Sequence, residues 1–144
     1  MAYRVLTPAE AFWRPSNQMG VANTDLAKQL GAEPLGARLW RLEPGQASTL
    51  HRHRFQGELY LLIEGTGRMR VDGEVLTLDP LSAVWVDAES LRQLFNDTAS
   101  RQLWLVAGAP PEPANTLDMT AEDLTFLYPE GPRALPPELD PPAR

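Results

Sequence analysis

The chain has 144 residues, 43% of them hydrophobic and 22% charged, which is enough for one domain with its own core. A net charge of −6 and a pI of about 4.9 argue against a phosphate-tracking surface, and so against nucleic acid as a partner. There is no cysteine, which excludes disulfides, thiolate zinc sites and a cysteine nucleophile. The apolar runs Leu59–Ile63 and Leu103–Ala107 have the length of strands, far short of a membrane span. Met1–Leu6 does not begin the apolar stretch of a signal peptide, so the expectation is a cytoplasmic protein without a membrane partner.

Residues 1–36 read as an arm with short helices. Thr7-Pro8-Ala9-Glu10 has the capping-box pattern with proline at the first helical position, predicting a helix there. A second is predicted over Asp25–Leu30, capped by Thr24 and closed by Gly31.

From residue 37 to 108 the pattern changes to short strands. Ala37–Glu43 alternates and ends at the turn signal Pro44-Gly45. Glu58–Ile63 is apolar on both faces, as in a strand buried between two layers. Arg68–Val71 and Glu74–Leu78 flank Asp72-Gly73, a two-residue hairpin signal. Further strands are predicted at Ser82–Val86, Leu91–Asn96 and Arg101–Ala107. Trp40, Tyr60, Leu62, Met69, Val71, Trp85, Leu94 and Trp104 are the candidates for a core or a cavity lining. Short strands punctuated by glycine and proline predict an all-β sandwich or barrel.

Residues 109–144 form a proline-rich extension carrying nine of the fourteen prolines. Thr120-Ala121-Glu122-Asp123 caps one helical turn, with Leu124, Phe126, Leu127 and Tyr128 available to dock on the strands. Beyond Tyr128 the chain reads as an extended tail, either disordered or strapped to the surface.

Both histidines of the chain, His51 and His53, are two residues apart. Residues i and i+2 of a strand share a face, so the two imidazoles can converge, and Glu58 can return on a neighbouring strand with a carboxylate. Two imidazoles and a carboxylate with open positions suit a divalent first-row metal, notably iron(II). Tyr60 and Leu62 share the parity of Glu58 and are expected nearest any cavity.

Gly45-x5-His51-x-His53-x4-Glu58-x6-Gly65 resembles the first signature of the cupin superfamily at every fixed position. The resemblance covers roughly Ala37 to Ala107. It implies a small jelly-roll barrel (a double-stranded β-helix), in which His51, His53 and Glu58 face inward and hold iron, manganese, nickel or zinc. It also implies a homodimer and a small-molecule ligand. Members of the family include dioxygenases, decarboxylases, sugar-phosphate isomerases and non-enzymatic binding proteins. The second signature departs from the pattern: aligned on Asn96, the expected histidine is Arg92, the glycine Glu89 and the proline Asp87. Arginine has no lone pair for a metal. An inward Arg92 would either pair with Glu58 in a metal-free barrel or hold an anionic substrate group by a bidentate contact. Arg92 and Tyr60 are therefore the candidates to act on a bound molecule, and a metal-free binding or sensing barrel is the alternative.

Overall fold

A computed structural model describes residues 2–140 of the chain. The first predicted helix does not form. Residues 8–10 make a turn in which the N–H groups of Glu10 and Ala11 both donate to the Thr7 carbonyl (3.1 and 3.0 Å). The Glu10 carboxylate does accept from the Thr7 N–H (3.2 Å), but the Phe12 N–H is drawn to the Gln29 side chain (2.8 Å), and the chain runs on extended. It enters β1 (Arg14–Pro15) and β2 (Ala22–Asp25). The second helix, α1, spans Leu26–Leu30 and closes at Gly31 (φ 66°). Its cap is Asp25, whose carboxylate accepts from the Lys28 N–H (2.9 Å). Thr24 belongs to β2, and its hydroxyl accepts from Gln29 instead (2.9 Å).

Then follow β3 (Gly36–Leu42), β4 (Gly57–Glu64), β5 (Gly67–Val71), β6 (Glu74–Leu78), β7 (Ala83–Val86), β8 (Arg92–Phe95) and β9 (Gln102–Ala109). The protein is mostly β. All pairings are antiparallel, in a six-stranded sheet ordered β1-β2-β3-β9-β4-β7 and a three-stranded sheet ordered β6-β5-β8. Asp72 and Gly73 both have positive φ (46° and 86°), which gives the β5–β6 hairpin the backbone twist a two-residue turn requires. Gly65 (φ 89°) follows β4 where a Cβ would lie 2.2 Å from the Arg101 carbonyl oxygen, so the chain passes there only as glycine.

Side chains alternating inward from both sheets build the core: Leu42, Tyr60, Leu62, Met69, Val86, Leu94, Trp104 and Val106. Within a single chain β4 is covered on one face. Glu58, Tyr60 and Leu62 are buried, while Leu59 and Ile63 on the opposite face are exposed. Trp85, in register with Leu59, is 60% exposed and points outward, away from the core expected for it.

Ala121–Leu127 forms α2, with a reciprocal capping box between Thr120 and Asp123. Leu127 and Tyr128 are buried, the Tyr128 ring with its centroid 6.3 Å from that of His51. The Ala134 carbonyl accepts from the buried Gln93 (2.9 Å), and Glu138 pairs with Arg70 of β5. The predicted tail beyond residue 140 lies outside the described residues. Among those described, no helix is long and apolar enough to cross a membrane.

Candidate metal centre

Before β4, the chain runs antiparallel beside β8. Ala47 bridges Phe95, and His51 bridges Arg92. After His51 it leaves the sheet, but the side-chain alternation persists. The His53 N–H donates to the Ala88 carbonyl (2.7 Å) and the Arg52 N–H to the Leu127 carbonyl (3.0 Å). Arg52 and Arg54 turn outward onto the Phe126 ring of α2, each about 4 Å from its centre (4.2 and 4.3 Å). His51 and His53 turn inward, their rings edge-on with centroids 5.0 Å apart.

There they meet Glu58, the second residue of β4. Its Oε1 lies 3.2 Å from His53 Nε2 and 3.7 Å from His51 Nε2. The three residues each offer one ligand atom within 4.8 Å of the others. Tyr60 donates its hydroxyl to the same Oε1 (2.9 Å), and Gln56 Nε2 donates to Oε2 (3.1 Å). Burial alone would raise the Glu58 pKa. The hydrogen bonds and charge of His51 and His53 outweigh it and hold the carboxyl far below the usual range, so Glu58 is a carboxylate. Burial pushes Tyr60 in the other direction, helped by the Glu58 charge, so its phenol keeps its proton and remains a donor.

Arg92 is fully buried. Its Nη1 donates to the carbonyls of Ala88 (2.9 Å) and Ser90 (2.8 Å), and its Nη2 to that of Asp87 (3.4 Å). Its Nε faces Glu58 Oε1 at 3.4 Å without a hydrogen bond. The terminal donors that were expected to grip an anionic substrate are thus turned onto the 87–90 loop.

Two polar residues at the site were missed in the sequence. The Glu112 carboxylate, in the proline-rich segment, accepts from the N–H groups of Arg54 (3.2 Å), Phe55 and Gln56 (2.7 Å), and lies 3.4 Å from His53 Nδ1. Gln56 returns the contact, its Oε1 accepting from the Glu112 N–H (2.8 Å). His51 Nδ1 is held separately, 3.1 Å from the Thr49 carbonyl oxygen. Spacing in the sequence could not bring Glu112 to residues more than fifty positions earlier.

The ligand atoms lie in the wall of a cavity of about 690 Å³. Its lining includes His51, His53, Glu58 and Tyr60, together with Arg14, Asn23, Asp25 and Arg38. Arg38 pairs with Asp25 (2.9 Å) and donates to Asn23 (2.9 Å). Arg92 is not among the lining residues.

The model of the cupin domain family matches residues 38–108. The chain belongs to the cupin superfamily. A sugar phosphate isomerase of that superfamily from Silicibacter pomeroyi is similar in structure, with a TM-score of 0.68 at 23% identity over 75% of this chain and 76% of that one. A predicted oxalate decarboxylase from Thermotoga maritima gives a TM-score of 0.64 at 19% identity, over 73% and 97% of the two chains. A cupin 2 conserved barrel domain protein from Salinispora arenicola gives 0.61 at 20%, over 75% and 87%. At these identities the likeness concerns the fold. No curated protein matches the sequence.

In this cupin the donor set fits a metal ion. Ligands about 2.1 Å from one ion stand about 3.0 Å apart along an octahedral edge and about 3.4 Å apart in a tetrahedron. The two His–Glu separations of 3.2 and 3.7 Å need little adjustment to reach either. The Asn96 that matches the second signature has a structural task. Its side chain donates to the carbonyls of Leu42 (3.0 Å) and Ser100 (2.8 Å) and accepts from the Thr98 N–H (3.0 Å), so it shapes the turn after β8.

Proposed function

We propose that this cupin holds one divalent transition metal (iron, manganese, nickel or zinc) on His51, His53 and Glu58, and binds a small oxygenated molecule in the adjoining cavity. The convergence of the three ligand atoms in the wall of that cavity carries the reading. A cavity of this size suits a metabolite-sized ligand. Three protein ligands leave positions open, and a bound metal would supply a Lewis acid to a carbonyl, carboxylate or hydroxyl oxygen. Dioxygenase, isomerase and decarboxylase chemistries are all compatible with that site.

The chain's own residues have defined tasks in this reading. Tyr60 and Gln56 fix the Glu58 carboxylate from both of its oxygens. Arg92 supplies a buried positive charge beside it. Arg38 and Arg14 line the cavity, so an anionic ligand group would be met by them and not by Arg92. The outer face of β4 and β7, with Leu59, Ile63 and Trp85 exposed, supports a second copy of the chain as partner.

The second reading is a metal-free binding barrel. It is favoured by the Arg92 Nε lying 3.4 Å from Glu58, which already offers the carboxylate a counter-charge. Elemental analysis of the purified protein separates the two. About one equivalent of transition metal, lost in His51→Ala, is expected. No metal after anaerobic loading with iron(II) or manganese(II) would overturn the metal reading in favour of the second.

A further inference from the structure

We propose that Tyr128 is the ligand-contact residue beside the metal centre: its phenol donates a hydrogen bond to a carboxylate oxygen of a small acid bound in the cavity. This rests on the reading of the cavity as a ligand site and adds to it a residue outside the cupin-domain match.

Tyr128 follows α2 directly, and backbone hydrogen bonds hold it from both sides. Its N–H donates to the Leu124 carbonyl (2.9 Å), and its own carbonyl accepts from the Gly131 N–H (2.9 Å). One residue earlier, the Leu127 carbonyl accepts from the Arg52 N–H (3.0 Å), which ties the end of the helix to the residue between the two histidines. The Phe126 carbonyl accepts from Arg52 Nε (2.7 Å). Pinned in this way, the Tyr128 ring stands beside that of His51 and forms part of the cavity wall.

The hydroxyl is left over. Tyr128 is only 9% exposed, yet its oxygen makes no hydrogen bond to any described residue, and it is not sealed off from open space. Buried phenols as a rule find a partner within the protein. Other polar side chains around the ligand cluster have done so: Tyr60 and Gln56 are engaged with Glu58, and the Thr49 hydroxyl faces His51 Nδ1 (3.3 Å). Tyr60, expected from the sequence to act on a bound molecule, therefore has its proton committed, whereas the proton of Tyr128 is free. A phenol donates most strongly to an ionised oxygen. Arg14 and Arg38 in the wall of the same cavity favour the same negative charge, which selects a carboxylate over a hydroxyl or an amine.

The test has two arms, both on the full chain. In the first, the metal-free protein is treated with N-acetylimidazole, which acetylates free phenols, and the modified sites are mapped by peptide mass. Of the three tyrosines, Tyr3 (75% exposed) and Tyr128 are expected to react and the bonded Tyr60 to be spared. A Tyr128 that is spared would overturn the proposal, and no variant has to fold for that result. In the second arm, malonate and succinate, which differ in span, are titrated calorimetrically into the cobalt(II)-loaded wild type and into Tyr128→Phe. The variant keeps the ring and loses only the hydroxyl, so a packing role alone would leave acid binding unchanged. It should bind at least one of the acids about tenfold more weakly, with cobalt(II) affinity and melting temperature as in the wild type. Equal affinities for both acids, or a wild type that binds neither, would overturn the proposal. A wild type that takes no cobalt(II), yet binds an acid with the same loss in the variant, would defeat the metal reading and leave Tyr128 standing.

Discussion

His51 and Arg92 exchange both backbone hydrogen bonds, each N–H donating to the other's carbonyl (3.0 and 2.9 Å). Directly opposed residues of an antiparallel pair present their side chains on the same face, so the first histidine and the arginine enter the interior side by side. The place where the family pattern would supply a further imidazole is therefore next to the ligand cluster, and this chain fills it with a guanidinium.

Replacing that group tests the placement. Arg92→His should bring an imidazole beside His51 and raise metal affinity at least about tenfold, read by competition with a chelating dye. It should also lower stability by about 2–4 kcal/mol in a denaturant titration, because the Ser90 carbonyl loses its donor and the buried Glu58 carboxylate loses the positive charge beside it. Unchanged metal affinity would mean that the introduced ring does not reach the ion.

The outward face of β4 predicts an assembly. Trp85 lies across Gly57, where even a Cβ would come within 2.3 Å of its ring, so the indole is held flat on the sheet and still exposed. Flat, rigid aromatic groups of this kind anchor protein interfaces. Trp85→Glu should convert a dimer to a monomer in light scattering with little change in melting temperature. A wild type that is already monomeric would defeat the homodimer.

Acid should loosen α2 before the sheets. The Asp123 carboxyl is held below the usual aspartate range by hydrogen bonds from Thr120 and by the Arg54 guanidinium. A depressed carboxyl contributes stability that is present above its unfolded value, about 3.9, and is lost as pH falls through the lower folded value. Amide exchange of residues 121–127 should therefore accelerate below about pH 4 relative to the core strands. Asp123→Asn should remove that acid step and show faster exchange at neutral pH. Exchange that tracks the core at every pH would contradict it.

Much of this was legible in the sequence because the signals were local. The His-x-His-x4-Glu spacing, the Asp72-Gly73 turn and the Thr120 capping box each depend on residues a few positions apart. The failures involve distant partners. The Thr7–Glu10 pattern is a capping box in isolation, but Gln29 removes the next N–H. Leu59 and Ile63 look like core residues because apolarity does not reveal whether a second layer exists. Arg92 could be placed beside Glu58, but the carbonyls that turn it from the cavity belong to the backbone and have no sequence signal. Glu112 was invisible for the same reason, since it reaches the site through folding of the proline-rich segment.

The four residues His51-Arg52-His53-Arg54 work in two directions at once, imidazoles inward and guanidiniums onto Phe126. Their order is a register as strict as that of a strand. Deleting or inserting one residue here would exchange the two sets, sending cations toward Glu58 and imidazoles toward α2. The segment can tolerate changes of side chain, but not changes of length.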